Sequence, residues 1–100
     1  MKSPYRIIFS ERAEKNLADI KRHLQVEVGE ELAIAALNYI NNQIYELVIF
    51  PYRFPIISPK NDLRRMPINK YTYSVFYRIE GKVVKVYHIR HQAQSPYFST

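Results

Sequence analysis

An α+β fold in the order β-α-α-β-β-β, with a helical hairpin packed on one face of a mainly antiparallel sheet, is what this sequence predicts. Three observations carry it. Apolar residues recur at intervals of three and four in two runs, Ala13 to Leu24 and Ala33 to Leu47, the period of helices buried along one side. Residues 71–89 instead alternate apolar with polar around Gly81, which is the period of strands. Charge also segregates: acids and bases cancel through residue 59, so the whole net charge of +6 comes from Lys60 to Arg90, where Asp62 and Glu80 are the only acids. A balanced helical scaffold carrying a cationic sheet would draw an acidic partner or a phosphate backbone.

Taken in order, Tyr5-Arg6-Ile7-Ile8-Phe9 is short, aromatic and β-branched, and reads as a first strand with Ser10 as the N-cap of the helix that follows. Glu11 and Glu14 suit the positive end of that helix. Ala13, Leu17, Ile20 and Leu24 give it an apolar stripe over about four turns. Lys15, Asp19, Lys21 and Arg22 take the wet side, and His23 falls near the end, where a cation favours the dipole. Gly29 divides this helix from a second, whose stripe of Ala33, Leu37, Ile40, Ile44 and Leu47 runs from Glu30 until Phe50-Pro51 stops it. Two such helices joined by a short turn form an antiparallel hairpin.

Pro51, Pro55 and Pro59, with Asn61 and Asp62, predict an irregular, partly rigid connection over residues 51–62. Leu63-Arg64-Arg65-Met66-Pro67 is a short strand, and Tyr71 to Ile79 and Val83 to Ile89 form a hairpin around Glu80-Gly81, with glycine second as a type I′ loop prefers. In that register Tyr73, Val75 and Tyr77 share a helix-facing side with Val84, Val86 and His88. Ser74, Phe76 and Arg78 share the opposite side with Val83, Lys85 and Tyr87. This second side mixes charge with aromatics and reads as the working surface.

Composition bounds the function. A chain of 100 residues, 47% hydrophobic, supports a single domain over residues 1–100 with one modest core and leaves no room for a separate cofactor domain. It holds no cysteine, which excludes disulfides, thiol catalysis and thiolate metal sites. Three dispersed histidines without paired carboxylates at ligand spacing predict no metal site, and no cofactor is expected. The N-terminus carries no signal-like apolar run and nowhere do about 18 apolar residues follow one another. The expectation is a cytoplasmic protein without a membrane partner.

Arg64, Arg65, Lys70, Arg78 and Arg90 are the residues best suited to a partner surface, because they gather where a polyanion or an acidic segment would meet the strands. Exposed strands also carry Lys and Arg for solubility and edge protection, and Arg78 has a structural alternative in Glu80. His91, beside Arg90, suits general acid–base work because imidazole titrates near neutrality. No neighbouring carboxylate orients it, so hydrogen bonding or partner contact is the plainer role. His88 falls on the side expected to be buried and reads as a satisfied core histidine. Tyr71, Tyr73, Tyr77 and Tyr87 could stack on bases, but core packing with hydroxyls at the rim explains them more simply. Tyr97-Phe98, after Pro96, forms an apolar tail suited to fold back on the sheet or dock on a target.

Several of these segments carry a family resemblance when read together. Tyr5-Arg6-Ile7-Ile8-Phe9-Ser10 with Ala13 and Leu17, Leu47 with Phe50-Pro51, Leu63-Arg64-Arg65-Met66-Pro67, Tyr73-Ser74-Val75-Phe76-Tyr77-Arg78-Ile79, and Ile89-Arg90-His91 with Pro96 resemble, in that order, the RelE/ParE superfamily of toxins from type II toxin-antitoxin modules. The resemblance implies a RelE/ParE-like fold and a cytoplasmic, plasmid-stabilisation type toxin held inactive by a cognate, ParD-like or similar antitoxin. In that family the antitoxin's C-terminal segment wraps the toxin and its N-terminal part binds operator DNA. In such a toxin Arg64, Arg65, Lys70, Arg78, Arg90, His91, Tyr97 and Phe98, singled out above from this sequence, are the candidate target- or antitoxin-binding residues.

The superfamily holds two activities. Ribosome-dependent mRNA endoribonucleases often carry Tyr-Arg-Leu-Val-Tyr in the penultimate strand, whose arginine stabilises charge at the scissile phosphate. Ser74 stands at that arginine's place in Tyr73-Ser74-Val75-Phe76-Tyr77, and Gln94 stands where a second basic residue usually follows the last strand. Donors of that kind contribute roughly 2.7 to 4 kcal/mol each to a charged transition state. The resemblance therefore falls nearer the ParE branch, whose characterised members poison DNA gyrase and block replication, and implies a binding toxin more than an enzyme. No catalytic group is assigned; Arg65, Arg90 and His91 are the candidates that remain if the chain cuts RNA on the ribosome, with Arg64 and Lys70 in support. A nucleic-acid-binding module of the same fold without toxicity is a third reading.

Overall fold

The computed structural model describes residues 4–92. Its elements are β1 (Arg6–Phe9), α1 (Glu11–Val28), α2 (Glu30–Tyr45), a 3₁₀ turn (Glu46–Val48), β2 (Ile56–Ser58), β3 (Leu63–Ile68), β4 (Tyr73–Glu80) and β5 (Val83–His91). One five-stranded sheet has the order β1-β5-β4-β3-β2, antiparallel except where β1 lies parallel to β5. The predicted helical hairpin and β-α-α-β-β-β order are present. The addition is β2, a short edge strand within the stretch expected to be irregular, where Ile56 pairs with Arg64 and Ser58 with Leu63. Three residues between Pro55 and Pro59 gave too short an alternation to read as a strand.

Local chemistry sets the helix ends. Ser10 is extended and its Oγ accepts from Ala13 N, as an N-cap should. Gly29, at φ 93°, closes α1 and opens α2, a backbone state that a residue with Cβ adopts only with strain. The first helix runs to Val28, longer than its apolar stripe suggested, so His23 sits in its interior; no basic residue occupies its last turn.

Ala13 and Ile20 from α1, Ile40 and Ile44 from α2, Leu47, Met66 and Ile68, Tyr73, Val75 and Tyr77, and Val84, Val86 and Ile89 form the core. Burying side chains of this size contributes about 1.5–3 kcal/mol each. The Tyr77 hydroxyl, fully buried, donates to Pro51 O at 2.9 Å and so anchors the irregular segment to the sheet. Burial raises the pKa of Tyr77 and of Tyr73. For these two tyrosines core packing holds.

Two details of the β4–β5 hairpin depart from expectation. The two-residue loop is Gly81-Lys82, because Glu80 pairs with Val83. Gly81 has φ 61° while Lys82 does not share a positive φ, the pattern of a type II′ turn with glycine first. Further along, Phe76 pairs with His88 but Tyr77 pairs with Val86, which leaves Tyr87 as an extra residue in β5. This bulge reverses the alternation. Ile89, not His88, therefore joins Val84 and Val86 in the core, and His88 turns to the opposite side of the sheet.

The bulge is pinned by α1. Ser10 N donates to Val86 O at 2.9 Å and Ser10 Oγ donates to Tyr87 O at 2.7 Å, so the carbonyl freed by the extra residue is satisfied by the helix cap. Beyond the end of β1, Asn16 Oδ1 accepts from Ile89 N at 3.0 Å and extends the pairing of β5 by a side chain.

Candidate functional site

Side-chain alternation along β3 divides the cations expected to act together. Arg64 lies on the side of Met66: it donates to Phe54 O and its guanidinium sits 5.1 Å from the Tyr52 ring. Lys70, in the β3–β4 turn, lies 4.8 Å from the Tyr39 ring of α2 and 5.6 Å from that of Tyr71. Both pack over aromatic rings on the helix side. They do not converge with Arg65, Arg78 and Arg90, which is a correction to the expected single cluster.

The open side of the sheet carries the rest. Arg65 lies opposite Phe76 and its Nε donates to Ser74 Oγ at 2.9 Å. Ser74 pairs with Arg90 and is only 3% exposed. Phe76 stacks on His88 with ring centroids 4.4 Å apart and planes 22° from parallel. Arg78 and Lys85, paired across the hairpin, both lie over the ring of Tyr87, at 5.7 and 5.3 Å. The expected pairing of Arg78 with Glu80 exists as a 3.9 Å ion pair, and the Tyr87 hydroxyl donates to the same carboxylate, which pushes the Tyr87 pKa up.

His88 belongs to this cationic side and not to the core. Desolvation, then the Arg12 and Arg90 guanidiniums, lower its pKa to about 4, so the ring is neutral at physiological pH. A cleft of about 290 Å³ opens beside it, between the start of α1 and the bulge, with Arg12, Arg78 and Tyr87 in its wall. Arg12 was hidden in the charge-balanced half of the sequence. The Ser10 cap was its signal, because a cap bonded to the bulge in β5 sets the first helical turn beside the strands.

His91 faces the other way from Arg90. It meets the Tyr73 ring edge-on at 5.1 Å and its Nε2 lies 2.9 Å from Thr72 Oγ1. Thr72 holds φ 56°, unfavourable for a β-branched residue, and is fixed there by this contact and by Gln92 N donating to its carbonyl at 2.7 Å. A second cleft, about 500 Å³, brings His91 together with Asn16, Asp19 and His23 of α1. Among the described residues no group of His, Cys, Asp and Glu has the arrangement to hold a metal ion. Arg65, Arg90 and His91 therefore do not form one constellation: the two arginines flank Ser74 on the open side while His91 lies against α1. Gln94, Tyr97 and Phe98 lie outside the described residues.

The family profile described as ParE toxin of type II toxin-antitoxin system, parDE, matches residues 7–96. The chain belongs to this toxin family. A solved chain of the chromosomal ParDE toxin-antitoxin system from P. aeruginosa overlays this ParE-family chain with a TM-score of 0.79 at 21% identity, covering 90% of this chain and 98% of that one. The isolated E. coli RelE toxin overlays it with a TM-score of 0.58 at 22% identity, covering 95% and 92%. At these identities the overlays bear on fold alone, and they place the helical hairpin and sheet within the RelE/ParE architecture. Comparison with curated proteins finds no match. Among the described residues no helix is long and apolar enough to cross a membrane.

Proposed function

We propose that this ParE-family toxin acts in the cytoplasm by binding and inhibiting DNA gyrase, and that a cognate ParD-like antitoxin neutralises it. The observation that carries the choice of target is at Ser74. Where ribonuclease relatives carry a phosphate-stabilising arginine, this chain has a buried hydroxyl that accepts from Arg65. The histidine nearest the open-side arginines, His88, has a pKa of about 4, stacked on Phe76. A general base or acid works best with a pKa near the operating pH, so this ring suits neither role in RNA cleavage. What the open side does offer is a cationic, aromatic surface of the kind that holds an acidic or nucleoprotein partner.

Partner capture by the antitoxin is supported by apolar side chains left outside the core, Val26, Val28, Leu32 and Ile34 around the helical turn, together with the net charge of +6. Purified toxin added to gyrase and relaxed plasmid is expected to abolish supercoiling or trap cleaved DNA, and addition of the antitoxin is expected to restore it. Normal supercoiling at saturating toxin refutes the target. A ribosome-dependent endoribonuclease is the alternative, and primer extension on translated mRNA during induction distinguishes it by new cleavage ends.

A further inference from the structure

We infer that the cleft between the start of α1 and the bulged strand β5 is a binding site for a phosphoryl group. Arg12 enters it from α1, Asn61 from the turn before β3, Arg78 from β4, and Tyr87 and His88 from β5. No carboxylate stands among its described lining residues. Two guanidiniums brought from separate elements to one cleft suit a tetrahedral, doubly charged group, since a single carboxylate is already satisfied by one arginine fork.

Arg78 shows that a donor is waiting. Its Nε is buried with no hydrogen-bond partner among the described residues and stands 3.9 Å from Glu80 Oε2, beyond hydrogen-bond reach. Buried donors are almost always paired, so an unpaired one in a cationic cleft points to an acceptor that comes from outside the chain. Glu80 Oε2, which accepts from the Tyr87 hydroxyl, balances charge at that distance without giving Nε an acceptor. Asn61 adds an amide donor, and His88, faced by Phe76, Arg12 and Arg90, adds a ring kept neutral first by desolvation and then by the two guanidiniums, whose charge a bound phosphate would offset.

The phosphoryl group has two possible sources, a free mononucleotide or a nucleic-acid backbone, and one experiment separates them. The full-length protein is titrated with inorganic phosphate, with AMP and with a short single-stranded oligonucleotide lacking terminal phosphates. Sodium chloride holds ionic strength constant, and the Arg78 Nε–H resonance is followed by nitrogen-15 NMR. Saturable shifts with inorganic phosphate that disappear in Arg12→Gln are expected, together with a rise of about one unit in the His88 pKa, equivalent to tenfold tighter phosphate binding by the imidazolium form. Tighter binding of AMP supports the free nucleotide and tighter binding of the oligonucleotide supports the backbone. No saturable shift with any of the three overturns the inference, as does a shift that chloride alone reproduces or that survives Arg12→Gln. None of these readings involves gyrase, so the site stands or falls separately from the proposed target.

Discussion

On the helix-covered side of the sheet polar groups end on the protein itself: Tyr77 on Pro51 O, Arg64 on Phe54 O, Asn16 on Ile89 N. On the open side some contacts close, Arg65 on Ser74 and Tyr87 on Glu80, but the arginines around the bulge do not all find an acceptor. Arg12 and Arg78 line one cleft, Arg78 Nε has no hydrogen-bond partner among the described residues, and Lys85 rests over Tyr87. The difference separates charge that the fold uses from charge that a partner can use. Alternation also divides two adjacent arginines, since Arg64 lies on the helix-covered side and Arg65 on the open side, bonded there to Ser74.

Substitutions should respect that division. Ile44→Ala, in the core, is expected to cost about 2–5 kcal/mol; a loss in chemical denaturation under about 1 kcal/mol would mean the helix side is loosely packed. Tyr77→Phe strands the Pro51 carbonyl and should cost about 1–3 kcal/mol with no change in the denaturation slope. Ser10→Ala removes both the helix cap and the bond to the bulge, for about 1–2 kcal/mol, and Ser10→Asp should recover the cap alone. At the smaller end, Arg65→Gln with Arg90→Gln should cost about 1 kcal/mol, because buried Ser74 loses its bond from Arg65, while abolishing growth arrest on induction. Retained killing would mean that the open side is only solvated charge.

Acid should expose the one histidine the open side desolvates. Above pH 6.5 neither the folded nor the unfolded chain protonates His88. As pH falls from 6.5 toward about 4 the unfolded chain takes up a proton that the folded one resists, so stability drops through that window. The drop should be about 2 kcal/mol after allowance for partial exposure, and His88→Gln should flatten it.

Period and caps made most of this legible in the sequence. The stripes of Ala13 to Leu24 and Ala33 to Leu47, the Ser10 cap, the Gly29 break and the alternation of Tyr73, Val75 and Tyr77 all became the elements they predicted. What alternation could not reveal was the extra residue at Tyr87, because a bulge leaves hydrophobicity unchanged while reversing every later side chain. His88 was misplaced for that reason, and the hairpin loop for a related one, since a glycine with positive φ fits either position of a primed turn. Arg12 and Arg78 were invisible as a pair because 66 positions separate them, and only the parallel pairing of β1 with β5 brings them to one cleft.

We propose that this toxin works by holding a target and not by cutting one. Gyrase supercoiling assayed with purified wild-type toxin and with Arg65→Gln/Arg90→Gln tests it most directly. Loss of supercoiling with the wild type and recovery with the double variant is the predicted result. Full supercoiling at saturating wild-type toxin, with new mRNA ends appearing in induced cells, would contradict it.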